Sequence, residues 1–266
     1  MTDTAISMPA APSARGNVVR EAVTLVVRGL RLTLRNTESL TTAIALPVIL
    51  MLMFVYLFGG AIHTGTRYVD YVVPGVLLVT IGFGAGTTAL SVSHDLTSGI
   101  IDRYRSIDVH GETLVNGHVV ASVLRNLLST VIVLGVALAI GFRPHGNPAN
   151  WLAAIAIAAM YMLAISWLAA AIGVVARSPE AAQGIAFFVS FLAYPSSAFV
   201  PVDTMPHFLR GFATNQPVSQ AADAIRGLLA TGHAGAAPWH AVVWSLGITA
   251  ASIGLAGALF RRRIGG

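Results

Sequence analysis

This sequence predicts an all-α integral membrane protein. It reads as six transmembrane helices with an N-terminal amphipathic interfacial helix, a short cytosolic helix and an external re-entrant helical pair. Three observations predict this class. Hydrophobic residues make up 55% of the 266-residue chain and charged residues only 10%, whereas a soluble domain carries roughly 25% charged residues. The mean hydropathy is +0.75. Runs free of Asp, Glu, Lys and Arg cover 39–66, 71–94, 126–142, 144–176, 181–202 and 227–260, and a spanning helix needs about 20 apolar residues. These runs are continuous rather than alternating, which argues against a β-barrel.

The elements follow in chain order. Residues 1–16 are rich in Ala, Pro, Ser and Thr and read as a disordered cytoplasmic tail. Residues 1–38 have no apolar core of the signal-peptide kind. Over 17–37, Arg20, Arg28, Arg31 and Arg35 fall within an arc of about 80° at helical spacing, with Val19, Val23, Val26, Leu30 and Leu34 opposite. That pattern suits a helix lying on the inner leaflet. The competing interpretation is a long helix continuing directly into the first span.

Trimming the apolar runs at turn residues places spans near 40–60, 71–93, 117–142, 151–176, 183–200 and 239–260. The third is extended back to Gly117 past Arg125. Trp151 and Trp239 stand where interfacial aromatics anchor helix starts. Six spans put both termini on one side. With the termini inside, eleven arginines are cytoplasmic, including Arg177 and the basic tail at 261–266. Only Arg67, Arg143, Arg210 and Arg226 are external. The positive-inside rule therefore places both termini in the cytoplasm. The net charge of +5 comes largely from this inner belt, so nucleic-acid binding is not implied.

Two non-spanning segments are too patterned for plain loops. In the cytosolic stretch 94–113, Leu96, Ile100, Tyr104 and Ile107 recur at helical spacing. Asp102 with Arg105, and Arg105 with Asp108, form i,i+3 pairs. Such a helix either inserts its apolar face into a partner's groove or lies on the lipid headgroups. In the external stretch 201–230, Phe208, Leu209 and Phe212 form one apolar patch, and Ala221, Ala222, Ile225, Leu228 and Leu229 another. Pro201, Pro206 and Pro217 divide it into pieces. Two short amphipathic helices resting on or dipping into the outer leaflet are expected, in preference to a loose loop.

Catalytic, cofactor and metal sites are not expected. No HExxH supports a metal hydrolase, and no GxSxG supports a serine hydrolase. There is no Cys for a thiolate site. All 16 basic residues are Arg, and a Walker A loop requires a Lys on the β/γ-phosphates. If ATP drives this protein, a separate subunit binds it. None of the six uncharged runs holds an ion-coupling carboxylate, which disfavours a secondary transporter.

The order of these elements resembles the ABC-2 type permease subunits of ABC exporters, over about residues 17–260. It is most similar to the daunorubicin/doxorubicin-resistance permeases. The resemblance rests on Tyr71-Val72-Val73-Pro74-Gly75 and on Gly99-Ile100-Ile101-Asp102-Arg103-Tyr104-Arg105-Ser106. It rests also on Ala198-Phe199-Val200-Pro201-Val202-Asp203-Thr204-Met205-Pro206, Asn215-Gln216-Pro217-Val218-Ser219 and Ala224-Ile225-Arg226. Asp108 stands near a position where family members often carry Pro.

The resemblance implies that 94–113 is the coupling helix that docks on a nucleotide-binding ATPase subunit. Ile100, Ile101, Tyr104 and Ile107 would form its apolar face. Asp95, Asp102, Arg103 and Arg105 would form the polar rim. It implies a second permease copy, identical or paralogous, with ATP and Mg bound by the partner subunit. The cargo would be an amphipathic drug, lipid or polyketide-like molecule, with polysaccharide or lipo-oligosaccharide as the alternative. A substrate path is expected near the first, second and fifth spans. Phe187, Phe191 and Tyr194 would line it at i, i+4 and i+7, with Ser196, Ser197 and Phe199 above. Packing or lipid contact is the competing role for these aromatics. Thr87 and Ser91 would line the same path or bond back to their own helix. Arg125 is an intramembrane charge, expected to snorkel inward or to pair with Glu112 or Asp95. Gly82, Gly84 and Gly86, and Gly254 with Gly257, are expected to permit close helix approach.

Overall fold

The computed structural model describes residues 37–98, 111–230 and 232–264, which form helices and connecting turns without a strand. Helix α1 (Thr37–Leu52) runs on into a π-helical segment, Met53–Phe58. Pro47 sits inside α1 and lacks the N–H that would close its turn. Then follow α2 (Tyr68–Thr97), α3 (Gly111–Ala139), α4 (Pro148–Val175) and α5 (Pro179–Phe191). A 3-10 turn at Val202–Thr204 leads to α6 (His207–Asn215) and α7 (Pro217–Ala230), and α8 (Ala237–Ile264) closes the fold.

Local chemistry sets several of these boundaries. Asn147 caps α4 by accepting from Asn150 N, with Pro148 in the first turn. Ser178 caps α5 in the same way through Ala181 N, ahead of Pro179. Among the described residues, four segments are long and apolar enough to cross a membrane: Tyr68–Thr97, Val115–Ala139, Pro148–Val175 and Ala237–Leu259. Ile44–Phe58 is a shorter apolar helix.

The expected fifth span, 183–200, is helical only as far as Phe191. Its 13 residues rise about 20 Å, short of the ~30 Å hydrocarbon core. The N–H groups of Leu192, Ala193 and Tyr194 turn back to the carbonyls of Val189, Ser190 and Phe191. This tightens the last turn, and Pro195 disfavours helix at the preceding residue. Residues 192–200 therefore continue as turns.

Helix α2 is the centre of the molecule. It packs against α1, α3, α4, α5 and α7, and its residues from Tyr71 to Gly82 are buried without a break. A helix enclosed on every side has no polar face to present, which is why this run reads as uniformly apolar. Small residues let the neighbours close in. A Cβ on Gly173 of α4 would lie 2.7 Å from Ala89 O of α2. Ser190 of α5 donates to Gly82 O of α2 at 2.8 Å. Helix α8 packs on α4 and α7 at the periphery. Gly254 departs from its expected packing role, because open space lies where its Cβ would be.

Candidate functional site

A connected line of aromatic rings crosses from α2 to the π segment of α1. Phe83 of α2 meets Phe187 of α5 at a centroid distance of 5.9 Å. Phe187 meets Phe191 edge-on at 4.9 Å, and Phe191 meets Tyr194 at 5.3 Å. Tyr194 stacks on Phe199 at 5.2 Å with planes 9° apart. Phe199 stacks on Phe54 at 4.7 Å, and Phe54 reaches Phe58 at 5.6 Å. Each such pair contributes about 0.5–1.5 kcal/mol beyond its buried area.

The line has an open part and a closed part. Phe187 and Phe191 remain 47% and 45% exposed, whereas Phe199 is 2% exposed. Tyr194 lies between, half-buried. Of the residues expected on a substrate path, Phe187 and Phe191 therefore face outward, and Tyr194 is packed partly against the core. Phe199 is internal to the stack. Ser196 is fully buried; its hydroxyl donates to Ala193 O at 2.5 Å and accepts from Ala198 N. Thr87 donates to Gly84 O and Ser91 to Thr87 O, so both hydroxyls serve their own helix. Phe54, Phe58 and Phe83 were not legible as members of this line. The one signal was the i,i+4 spacing of the first two.

A second feature lies within the spans. Arg125 of α3 donates through Nη2 to Thr88 of α2 at 2.8 Å. Thr88 donates to Ser122 at 2.8 Å, and Ser122 bonds Ser166 of α4 at 3.0 Å. Arg125 does not pair with Asp95 as expected. Asp95 accepts instead from His118 Nε2 at 2.8 Å, which links the C-terminal end of α2 to the start of α3. Beside Arg125, Asn126 is fully buried and fits only because Gly84 has no side chain. A Cβ there would lie 1.7 Å from Asn126 Oδ1. Arg125 Nε, Asn126 Nδ2, Ser129 Oγ and Thr130 Oγ1 are buried without a partner among the described residues.

The third feature is a junction around the turns that follow α5. Non-helical backbone at membrane depth is tolerated only where protein supplies its hydrogen bonds, and residues 195–199 receive them from three directions. Tyr71 donates to Ser197 O at 2.8 Å and Tyr68 to Phe199 O at 2.9 Å. Gln216 donates to Pro195 O at 2.5 Å, and Ser219 Oγ accepts from Ser197 N. Arg226 donates through Nη2 to Ser197 O at 2.9 Å and through Nε to Tyr71 O at 3.0 Å. Its guanidinium pairs with Asp223 at 2.6 Å and lies 3.7 Å over the Tyr71 ring. Gly75 permits the approach, since a Cβ there would sit 2.7 Å from Ala198 O. Four of the sequence motifs, at 71–75, 198–206, 215–219 and 224–226, thus contribute to one structure.

The remaining expected site residues cannot be placed in this way. Ile100, Ile101, Asp102, Arg103, Tyr104, Arg105 and Ile107, and Arg20, Arg28, Arg31 and Arg35, lie outside the described residues. Of the expected coupling set, Asp95 alone is described, at the mouth between α2 and α3.

Comparison with known proteins agrees with this architecture. The sequence profile of the ABC-2 type transporter family matches residues 20–230. The chain is 30% identical over 218 residues to the daunorubicin resistance ABC transporter permease protein DrrB1 of Streptomyces coeruleorubidus, covering 81% of this chain and 77% of that one. It is 23% identical over 216 residues to the probable doxorubicin resistance ABC transporter permease protein DrrC of Mycobacterium tuberculosis, covering 80% and 78%. With the doxorubicin resistance ABC transporter permease protein DrrB of the same organism it shares 27% over 209 residues, covering 73% and 71%. The apolar helices, the buried central span and the profile match over most of the chain lead to one conclusion: the protein belongs to the ABC-2 type transporter family.

Proposed function

We propose that this chain is the membrane-spanning permease subunit of an ATP-driven exporter for amphipathic drugs, lipids or polyketide-like molecules. The observation that carries the cargo class is the aromatic line from Phe83 to Phe58, open at Phe187 and Phe191. Flat apolar rings at staggered angles hold a large amphipathic molecule by area and stacking rather than by fixed hydrogen bonds. Its relatives' names, which speak of daunorubicin and doxorubicin resistance, agree with such a cargo.

In this reading α1, α2, α3, α4, the α5 segment with its following turns, and α8 supply six spans. Both termini lie in the cytoplasm of the bacterial inner membrane. Residues 17–37 rest on the inner leaflet, and 201–230 form the external re-entrant pair. The segment 94–113 docks on a nucleotide-binding subunit, which carries ATP and Mg. Two permease copies, identical or paralogous, enclose the path. The exposed apolar side chains Ile49, Tyr56 and Leu57 of α1 and Phe187, Phe188 and Phe191 of α5 supply the surface for the second copy and the cargo.

The test is export of daunorubicin from proteoliposomes holding the permease with its ATPase. Phe191→Ala and Tyr194→Ala should each lower the transport rate about two- to ten-fold, the value of one aromatic contact. Unchanged export of every substrate tried, in both variants, would return these rings to a packing role.

A further inference from the structure

Three of the four arginines on the external side converge on one cavity. Arg67 precedes α2, Arg143 lies in the α3–α4 connection and Arg226 belongs to α7. All three line a cavity of about 180 Å³, together with Thr66, Asp70 and His145. That volume has room for several water molecules. Arg210, the fourth, is elsewhere and spends its donors on Met205 O and Asp203 O.

Positive charge outweighs negative charge at this cavity. Asp70 is the one carboxylate in its lining, and both its oxygens are already occupied. Arg67 pairs with Oδ2 at 2.7 Å, and the backbone N–H of Arg143 donates to Oδ1 at 3.1 Å. Asp223 is committed to Arg226. Meanwhile donors remain. Arg143 uses Nη1 on Leu138 O and Phe142 O, which leaves its Nε and Nη2, and Arg67 keeps Nη1. The N-terminus of the 30-residue α2 also opens here, with no side-chain cap at Arg67, and its dipole favours an anion.

The walls are held in place before any ligand arrives. Leu229 O accepts from both His145 N at 2.8 Å and Gly146 N at 3.0 Å. This fastens the α3–α4 connection to the end of α7, while Asp70 fastens it to α2. Grouped like charges repel, and outer-face arginines run against the usual bias. A partner anion would offset both costs, and guanidinium forks match tetrahedral oxyanions.

We propose that this cavity binds a phosphate-type oxyanion on the outer face, taken either from an anionic phospholipid headgroup or from free phosphate. It is separate from the aromatic line, and its assay does not depend on transport. The leaflet it faces rests on the orientation proposed above; the binding itself does not.

The test uses the full chain in a nonionic micelle. Dioctanoyl phosphatidylglycerol, dioctanoylglycerol and inorganic phosphate are titrated separately, by native mass spectrometry for the lipids and calorimetry for phosphate. Phosphatidylglycerol should bind and dioctanoylglycerol should not. Retention of the lipid but not of phosphate identifies a headgroup site, and saturable phosphate binding identifies a free-anion site. The double variant Arg67→Gln/Arg143→Gln should weaken binding about ten-fold or more, the value of a lost charge-assisted hydrogen bond. Arg210→Gln should leave it unchanged. Arg143→Lys, which keeps the charge, should retain part of the affinity, and an unchanged thermal-unfolding midpoint in the double variant separates its loss of binding from misfolding. The proposal is overturned if neither phosphatidylglycerol nor phosphate binds above dioctanoylglycerol. It is equally overturned if Arg210→Gln weakens binding as much as the double variant.

Discussion

Gly75 shows how much a single missing methyl group can decide. It lies in a run of otherwise bulky residues, Tyr71-Val72-Val73-Pro74, and its reason is not local. The backbone of Ala198 passes so close that a Cβ would contact Ala198 O at 2.7 Å. Gly75→Val should therefore destabilise the protein by about 1–3 kcal/mol through overpacking, read as a lower midpoint in detergent thermal unfolding. Gly254→Ala, facing open space, should leave that midpoint unchanged or raise it slightly, since Ala is the better helix former. Arg226 is the charged counterpart. Arg226→Met removes one donor each from Asp223, Tyr71 O and Ser197 O, although Tyr71 still donates to Ser197 O and Ser197 to Asp223. The Asp223 side chain is 39% exposed, so losing these charge-assisted hydrogen bonds costs about 1.5–3 kcal/mol, read as a lower midpoint in detergent thermal unfolding. At this scale the sequence showed which residues were unusual but not what they touched. Arg226 bonds Tyr71 O across 155 positions, and no spacing rule reaches that far.

At the scale of elements, hydropathy located the long helices well because lipid and a buried core demand the same continuous apolar run. The expected second span began near residue 71 and the helix begins at Tyr68; the expected fourth, 151–176, corresponds to Pro148–Val175. The fifth misled for a physical reason. Residues 192–200 are as uncharged as a span, yet their turns are stabilised by Tyr68, Tyr71, Gln216, Ser219 and Arg226. An uncharged run reports burial, not helicity. A second lesson concerns the C-terminal end of α2 and the start of α3, which flank residues 99–110. The Asp95–His118 bond ties them together, although the sequence suggested Asp95 as a docking residue. Asp95→Ala should let the start of α3 fray. Amide hydrogen exchange over 111–118 should rise about ten-fold, given a bond contributing on the order of 1 kcal/mol or slightly more. Unchanged exchange there would show that packing alone holds the two ends.

At the scale of the whole molecule, the proposed exporter requires this chain to meet two others. Tyr104→Ala should reduce co-purification with the ATPase subunit or uncouple ATP hydrolysis from export. Normal yield of the complex with normal substrate-dependent hydrolysis would remove Tyr104 from the docking face. Composition by itself determined that the chain resides in a membrane, where its long helices run, and that it contains no Lys to complete a Walker A loop. These follow from properties each residue carries alone: transfer free energy, charge and functional group. Only the tertiary structure decided that four separate motifs build one junction, that seven rings form one line, and that Arg67, Arg143 and Arg226 share one cavity. Such groupings depend on which helix faces meet. In a largely apolar protein that choice is made by close packing and a few buried hydrogen bonds between residues far apart in the chain, which leave little trace in local sequence pattern.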